Sequence, residues 1–386
     1  MFKRWVSIKK TKSVLLIGPR RSGKTTLLKN EFPDFFYTTL DDLDNLEWAK
    51  RDAKGFVSSL GNKAVIDEIQ RVPHLTIAVK YAIDNTNAIF MMSGSSSIGL
   101  LDSTADSLAG RINIQYLPTA CWGEDSGDPT HRIFKDKLNP IQVREAQRLL
   151  PSAIKYGQFP EVLNQSIDKL KEELLRNYRD TYFTRDLMQL SNIENTDALL
   201  SILHNLVRSI GTPLEVSNFA REAAISFVTA RKYLNTLQQS NLTFKLTGFQ
   251  YGPAKRFIKA AKVYYSDCGI INSLNIPLGE GYLLESFVIS ELEKRRKLGF
   301  IKSDRLYYYK TTSGREIDLI FEADNYIHAV EIKASQKPGP GDLRNLKEFA
   351  RDIKRPIKLY LFYPGVEYKT IDNVRLTPIA ALYRGV

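Results

Sequence analysis

Gly18-Pro-Arg-Arg-Ser-Gly23-Lys24-Thr25 sets two glycines ahead of a lysine and a hydroxyl residue, after the apolar run Ser13-Val-Leu-Leu-Ile17. Such spacing suits the binding of phosphate. Backbone N–H groups of a glycine-rich turn wrap the oxyanions, and the following helix points its positive end at them. Lys24 would reach the β- and γ-phosphates and the Thr25 hydroxyl would ligate Mg²⁺. The expected cradle is Gly18, Pro19, Arg20, Arg21, Ser22, Gly23, Lys24, Thr25 and Thr26. A second run, Lys63-Ala-Val-Ile-Asp67-Glu68, reads as a buried strand ending in adjacent carboxylates. In a parallel sheet those acids lie at the strand end where ligands bind. Asp67 would then hold the Mg²⁺ water shell, and Glu68 would orient and deprotonate an attacking water.

The apolar run Ala88-Ile-Phe-Met-Met92 leads into Ser93-Gly94-Ser95-Ser96. A hydroxyl at that tip could position the lytic water; Ser93 is the first choice, Ser95 the second, and a plain serine-rich turn the alternative. Leu108-Ala-Gly-Arg111 precedes a further strand, Ile112 to Leu117. Arg111 is placed either to reach a neighbouring subunit's γ-phosphate or simply to face solvent from a loop. Without an Asn-Lys-x-Asp element to read guanine, ATP is the expected nucleotide.

A different chemistry is written near the C-terminus. Arg315-Glu-Ile-Asp318-Leu-Ile-Phe-Glu322 and Tyr326-Ile-His-Ala-Val-Glu331-Ile-Lys333 flank a turn at Asp324-Asn325. A two-residue turn there makes Asp318 face Glu331 and Glu316 face Lys333. Strict alternation puts these four on one face, with Ile317, Leu319, Phe321, Val330 and Ile332 on the other. Two carboxylates directly opposite repel unless a cation stands between them. Asp318 and Glu331 would hold Mg²⁺, and Lys333 would steer or deprotonate the water that attacks a phosphodiester. The alternative is an exposed hairpin whose acids pair with Lys333 and Arg315.

The motifs Gly18–Thr25, Ile66-Asp-Glu-Ile-Gln70, Ser93-Gly-Ser-Ser96, Ala109-Gly-Arg111 and Tyr156-Gly-Gln-Phe-Pro-Glu161 together resemble an AAA-type ATPase. The particular group is the bacterial and archaeal one with a winged-helix and endonuclease-like C-terminal half. The resemblance runs from about Val14 to Lys333 and implies a P-loop ATPase fold, ATP as cofactor and Arg111 as an arginine finger. Lys255-Arg-Phe-Ile-Lys259 and Lys262-Val-Tyr-Tyr-Ser-Asp267-Cys-Gly are similar to the same group, with Cys268 in place of its usual threonine. The C-terminal hairpin resembles the PD-(D/E)XK nuclease core, with Ile317 where that core has proline. The resemblance implies Glu285, in Gly281-Tyr-Leu-Leu-Glu-Ser-Phe-Val, as a further metal acid.

The elements that must position these residues follow from periodicity. Leu149 to Asp197 carries apolar residues at helical spacing and predicts a helical lid over the nucleotide, with Arg176, Arg179 and Arg185 available to it. Three helical patterns follow, the third running from about Ser226 to Gln239 and marked by Val228, Leu234 and Leu237. A strand pair, Leu242–Leu246 and Lys262–Tyr265, comes next, in the pattern of a winged helix-turn-helix. If it docks on DNA, Thr229, Arg231, Lys232 and Asn235 face the major groove and Lys255, Arg256 and Lys259 contact phosphate. The alternative is an interdomain spacer with solvated charge.

The chain has 386 residues, 43% of them hydrophobic, which excludes disorder and is too long for one core. The predicted fold class is α/β: a P-loop AAA-type parallel sheet (1–125), a helical lid (126–197), a winged helix-turn-helix (198–275) and a restriction-endonuclease-like α/β domain (276–386). Net charge is +12, and residues 198–262 hold nine Lys/Arg against two acids. That excess favours nucleic acid as partner, above all DNA. Two unpaired-pattern cysteines argue against a disulfide or zinc scaffold. No apolar run approaches the roughly 20 residues of a membrane span, so a soluble protein is expected. The cysteine usage favours the cytoplasm, and Arg111 acting in trans predicts a homo-oligomer. The expected function is an ATP-hydrolysing machine acting on nucleic acid with a candidate metal-dependent nuclease. The alternative is an ATP-gated binding module whose nuclease-like domain only binds DNA or protein.

Overall fold

The computed structural model describes residues 2–96, 108, 110–187, 193, 195–251 and 260–386, with the side chains of 183–186 outside the description. Five strands form the first sheet: β1 (Ser13–Ile17), β2 (Phe36–Thr39), β3 (Lys63–Asp67), β4 (Ile89–Gly94) and β5 (Ile112–Tyr116). Their order is β2-β3-β4-β1-β5 and every pair is parallel. β1 is buried throughout because helices cover both faces, which is why it is a continuous apolar run. Leu15, Ile17, Ala64, Ile66, Phe90 and Met92 pack into one cluster. Val14, Leu16, Val65 and Met91 pack into the cluster on the other side, with Leu27 and Leu28 of the helix Lys24–Glu31. The sheet therefore delivers the ends of β1, β3 and β4 to one rim.

Beyond the sheet the chain is helical. Asn139 caps Pro140–Tyr156 through a reciprocal bond with Gln142, and Pro160–Leu163, Asp168–Tyr178 and a π-helical turn Arg179–Asp186 follow. Thr196–Arg208, Val216–Glu222 and Phe227–Gln239 are the next three helices. Then comes the antiparallel pair β6 (Thr243–Gly248) and β7 (Lys262–Tyr265).

The sequence suggests a separate C-terminal domain, but the sheet does not stop at that boundary. β8 (Leu306–Lys310), β9 (Glu316–Ala323), β10 (Tyr326–Ile332), β11 (Ile357–Tyr363), β12 (Lys369–Ile371) and β13 (Val374–Pro378) continue it. The order is β12-β13-β11-β10-β9-β8-β6-β7, with β6 joined to β8 through Thr247 and Gly248. The hairpin after the three helices is thus the edge of the C-terminal sheet. One hydrophobic cluster runs from Trp122 through the three helices to Leu382, so the latter two thirds of the chain share a core.

Buried polar groups fasten this body to the loop after β5. Asp267, fully buried, accepts from Thr119 Oγ1 at 2.6 Å, from the Gln158 and Gly269 backbone amides and from Lys294 Nζ at 3.2 Å. Gly157, at φ 68°, leaves room for that carboxylate: a Cβ there would lie 1.8 Å from Asp267 Oδ1. Among the described residues no helix is long and apolar enough to cross a membrane.

Candidate functional site

The phosphate-loop lysine, strand-end acids and serines meet at the rim of the first sheet. Lys24 Nζ is buried and donates to the Gly18 and Pro19 carbonyls at 3.0 and 2.9 Å. Burial lowers it to about 8, against the pull of Glu68 and Asp67. Thr25 Oγ1 donates to Asp67 Oδ2 at 2.8 Å, and Tyr37 OH donates to the same oxygen at 2.9 Å. The other Asp67 oxygen accepts from Ser93 Oγ.

Glu68 takes a left-handed backbone, φ 59°, and its amide donates to Ser93 Oγ at 3.3 Å. Its carboxylate accepts from Ser95 Oγ at 3.2 Å and from Gln70 Nε2. The two serines that the sequence leaves as alternatives are divided between the two acids. Thr25 and Asp67 bring a hydroxyl and a carboxylate together beside the loop, a hard-oxygen pair that fits Mg²⁺.

A cavity of about 510 Å³ opens here, lined by Arg20, Arg21, Lys24, Thr25 and Glu68 and closed by Pro160 and Glu161 of the expected lid. Arg21 Nη1 donates to Glu161 at 3.1 Å, so the lid touches the loop directly. Sequence reasoning missed Arg4. Its buried guanidinium donates to Ser22 O at 2.6 Å, Pro118 O at 2.9 Å and Glu124 Oε1 at 2.9 Å, pinning the phosphate loop from behind. Tyr37 and Gln70 were missed as well; neither type is diagnostic, and while Gln70 simply follows Glu68 by two residues, strand pairing brings Tyr37 to Asp67. Arg111 lies before β5, at the opposite end of the sheet, where Nε donates to Asp84 at 2.6 Å.

On the third of the three helices Arg231, Lys232 and Asn235 are exposed and Thr229 is half-buried, its hydroxyl 2.8 Å from the Ser226 cap. Val228, expected to mark the packed face, is instead 75% exposed beside Phe227. It sits in the first turn, before Ala230, Tyr233, Leu234 and Leu237 take up the core stripe. Lys255, Arg256 and Lys259 lie outside the described residues.

The C-terminal hairpin has the expected register, Tyr326↔Ala323 to Val330↔Leu319, around a turn with φ 51° at Asp324 and 65° at Asn325. The expected faces need correction. β9 carries one extra residue opposite β8, because Tyr307 pairs with Ile320 but Tyr309 with Ile317. This bulge reverses the alternation. Ile317 joins Ile320, Ile327 and Ala329, while Leu319, Phe321, Val330 and Ile332 join the other cluster. Pairing stops one step short of Asp318 facing Glu331, and Asp318 Oδ2 accepts from the Ile332 amide at 2.8 Å.

Glu331 is buried with Oε1 bonded to Lys333 Nζ at 2.6 Å and Oε2 without a partner. Burial, then Asp318, pushes Glu331 up to about 8 and Glu285 up to about 7. Burial raises Asp318 too, against the pull of Lys262. Yet Glu285, Asp318 and Glu331 do not fit the metal that the nuclease resemblance implies. Among the described residues no three acids, histidines or cysteines gather to hold an ion. The charge inside the cluster is an ammonium: Lys262 Nζ lies 2.5 Å from Glu316 Oε1 and 3.8 Å from Glu285 Oε1.

Residues 10–124 match the family described as AAA domain, and residues 147–280 and 280–382 match two families described as domains of unknown function. An uncharacterized protein of Methanocaldococcus jannaschii is 28% identical over 93% of this chain and 84% of its own length. Another, of Mycobacterium tuberculosis, is 25% identical over 91% and 76%. Among solved structures, the protein VC1899 of Vibrio cholerae has a TM-score of 0.21 at 9% identity, covering 96% of this chain and 95% of that one. The N-terminal segment of this chain, residues 10–124, is thus similar to an AAA domain and carries a parallel sheet with a glycine-rich loop at its rim.

Proposed function

We propose that the chain is an ATP-hydrolysing switch that acts on nucleic acid. The observation that carries the first half is the contact of Thr25 with Asp67, with Ser93 and Glu68 alongside and Lys24 in the loop. On nucleotide binding Lys24 would exchange the Gly18 and Pro19 carbonyls for phosphate oxygens. Thr25 and Asp67 would hold Mg²⁺, which neutralises phosphate charge when bound. Glu68, released from Ser95 and Gln70, would take the proton of the attacking water, and Ser93 would keep Asp67 oriented. Arg111, far from its own chain's loop, would serve a neighbouring subunit. Phosphate release from ATP tests this reading, which fails if Lys24→Ala turns over as fast as the wild type.

Action on nucleic acid is supported by the exposed Arg231, Lys232 and Asn235 on one helix and by the basic balance of residues 198–262. We read the three helices and hairpin as a winged helix-turn-helix with the third helix in the major groove. DNA binding should weaken steeply with salt and further in Arg231→Glu. Absence of binding at about 50 mM salt, where phosphate contacts are strong, would remove this half. For the C-terminal domain, Lys262 among the carboxylates favours ATP-gated binding over cleavage.

A further inference from the structure

Lys262 comes from the preceding hairpin, yet it is 1% exposed and its ammonium is spent on the C-terminal domain. Glu316 grips it at 2.5 Å, and Lys310 Nζ takes the other Glu316 oxygen at 2.5 Å. Glu285 Oε1, 3.8 Å away, also accepts from Tyr264 OH at 2.6 Å, a second contribution from β7. The Tyr308 ring stands 5.3 Å from the ammonium. Against the cost of burial, the charges of Glu285, Asp318 and Glu316 raise the pKa of this lysine, so a helix and a strand both bear on one buried cation.

We infer that Lys262 is the resident cation of the C-terminal carboxylate cluster, and that the cluster is closed to a divalent metal while β7 stays in place. Charge balance and access both lead there. Lys262, Lys310 and Lys333 stand against Glu285, Glu316, Asp318 and Glu331, which leaves the cluster near neutral. A dication bound to Glu285 would lie close to a buried ammonium only 3.8 Å from that carboxylate, and the two cations would repel. Burying an ammonium without partners is costly, so Lys262 in turn holds its acids together. β7 is the last strand of its sheet, and its outer edge is bridged at Lys262 by Pro213, with the Leu214 amide donating to Ala261 O at 2.8 Å. Opening the cluster to metal therefore means withdrawing β7 and with it the hairpin beneath the three helices. The inference concerns the C-terminal domain alone and stands whether or not ATP is hydrolysed.

Mn²⁺ binding to the full, nucleotide-free chain tests it, by calorimetry and by the loss of the free-ion paramagnetic resonance signal. An Asp67→Asn, Glu68→Gln background silences the phosphate-loop acids. The wild-type cluster should take up no Mn²⁺, and Lys262→Met should gain one bound ion per chain. Asp318→Asn should abolish that gain, and Lys262→Arg, which keeps the charge, should behave as wild type. Wild-type uptake of one Mn²⁺ that Asp318→Asn removes would overturn the inference without any Lys262 variant, should Lys262→Met not fold. A folded Lys262→Met that gains no affinity would overturn it equally. Either result leaves the ATPase reading untouched, because phosphate release is measured separately.

Discussion

The Thr25 hydroxyl donates to the Asp67 carboxylate at 2.8 Å, joining the first turn of one helix to the tip of a strand 42 residues further on. The pair lies next to Glu68, whose left-handed backbone swings its carboxylate away from Asp67 and onto Ser95 and Gln70. Division of labour between the two acids follows. Glu68→Gln should keep nucleotide affinity and lower turnover about 10²–10⁴-fold, the range of general-base catalysis. Thr25→Ala should weaken Mg²⁺–nucleotide binding itself. Equal loss of affinity in both variants, by nucleotide titration, would contradict the assignment.

Arg111 is a long way from the phosphate loop of its own chain, at the start of β5 rather than its end, and is exposed beside Asp84. A surface pair of this kind adds little once solvent screens it, so Asp84→Ala should leave stability nearly unchanged. Arg111→Ala should lower ATP turnover only in assembled protein. Mixing it with Lys24→Ala should restore part of the activity, since each variant lends the other the group it lacks. A mixture no faster than its components would place Arg111 outside the reaction.

Gly157→Ala is expected to destabilise the chain by about 2–4 kcal/mol, from left-handed strain together with a disturbed buried hydrogen-bond network. The methyl would strike Asp267 Oδ1, on which Thr119, Gln158, Gly269 and Lys294 converge. Urea unfolding gives the number; a loss below about 0.5 kcal/mol would show that the network shifts freely.

His328 offers a pH test. Its ring stacks between Phe321 (4.5 Å) and Tyr360 (5.7 Å), and burial, with Lys358, lowers it from 6.5 to about 4. Lys135 opposes protonation, Asp324 favours it, and the Ala323 carbonyl is near the ring without reaching hydrogen-bond geometry. Because the unfolded histidine binds a proton first, the stabilisation is full above pH 6.5 and is lost as the pH falls from 6.5 to about 4. At about 1.4 kcal/mol per unit, the loss amounts to ~3 kcal/mol at its limit. His328→Phe keeps the stacking and should flatten that slope; an unchanged slope would assign it to other groups.

Local signals carried much of the fold. The spacing of Gly18, Gly23 and Lys24, the apolar runs of β1, β3 and β4, and the Asp324-Asn325 turn all concern neighbours in the chain. They specify conformation by sterics and burial that act within a few residues. Where the local pattern was followed too literally it misled. Val228 fits a helical stripe but stands clear of the core, and strict alternation put Ile317 on the wrong face because β8 imposes a bulge on β9.

What a sequence determines alone is therefore which segments become strands, helices and turns, and which rim of a parallel sheet carries the glycine-rich loop. Tertiary structure decided the company each charged group keeps. Arg4 behind the phosphate loop, Tyr37 on Asp67 and Lys262 among Glu285, Glu316 and Asp318 are meetings of residues tens of positions apart. No periodicity encodes such meetings. They follow from how helices and sheets pack, and from the high cost of leaving a buried charge without its partner.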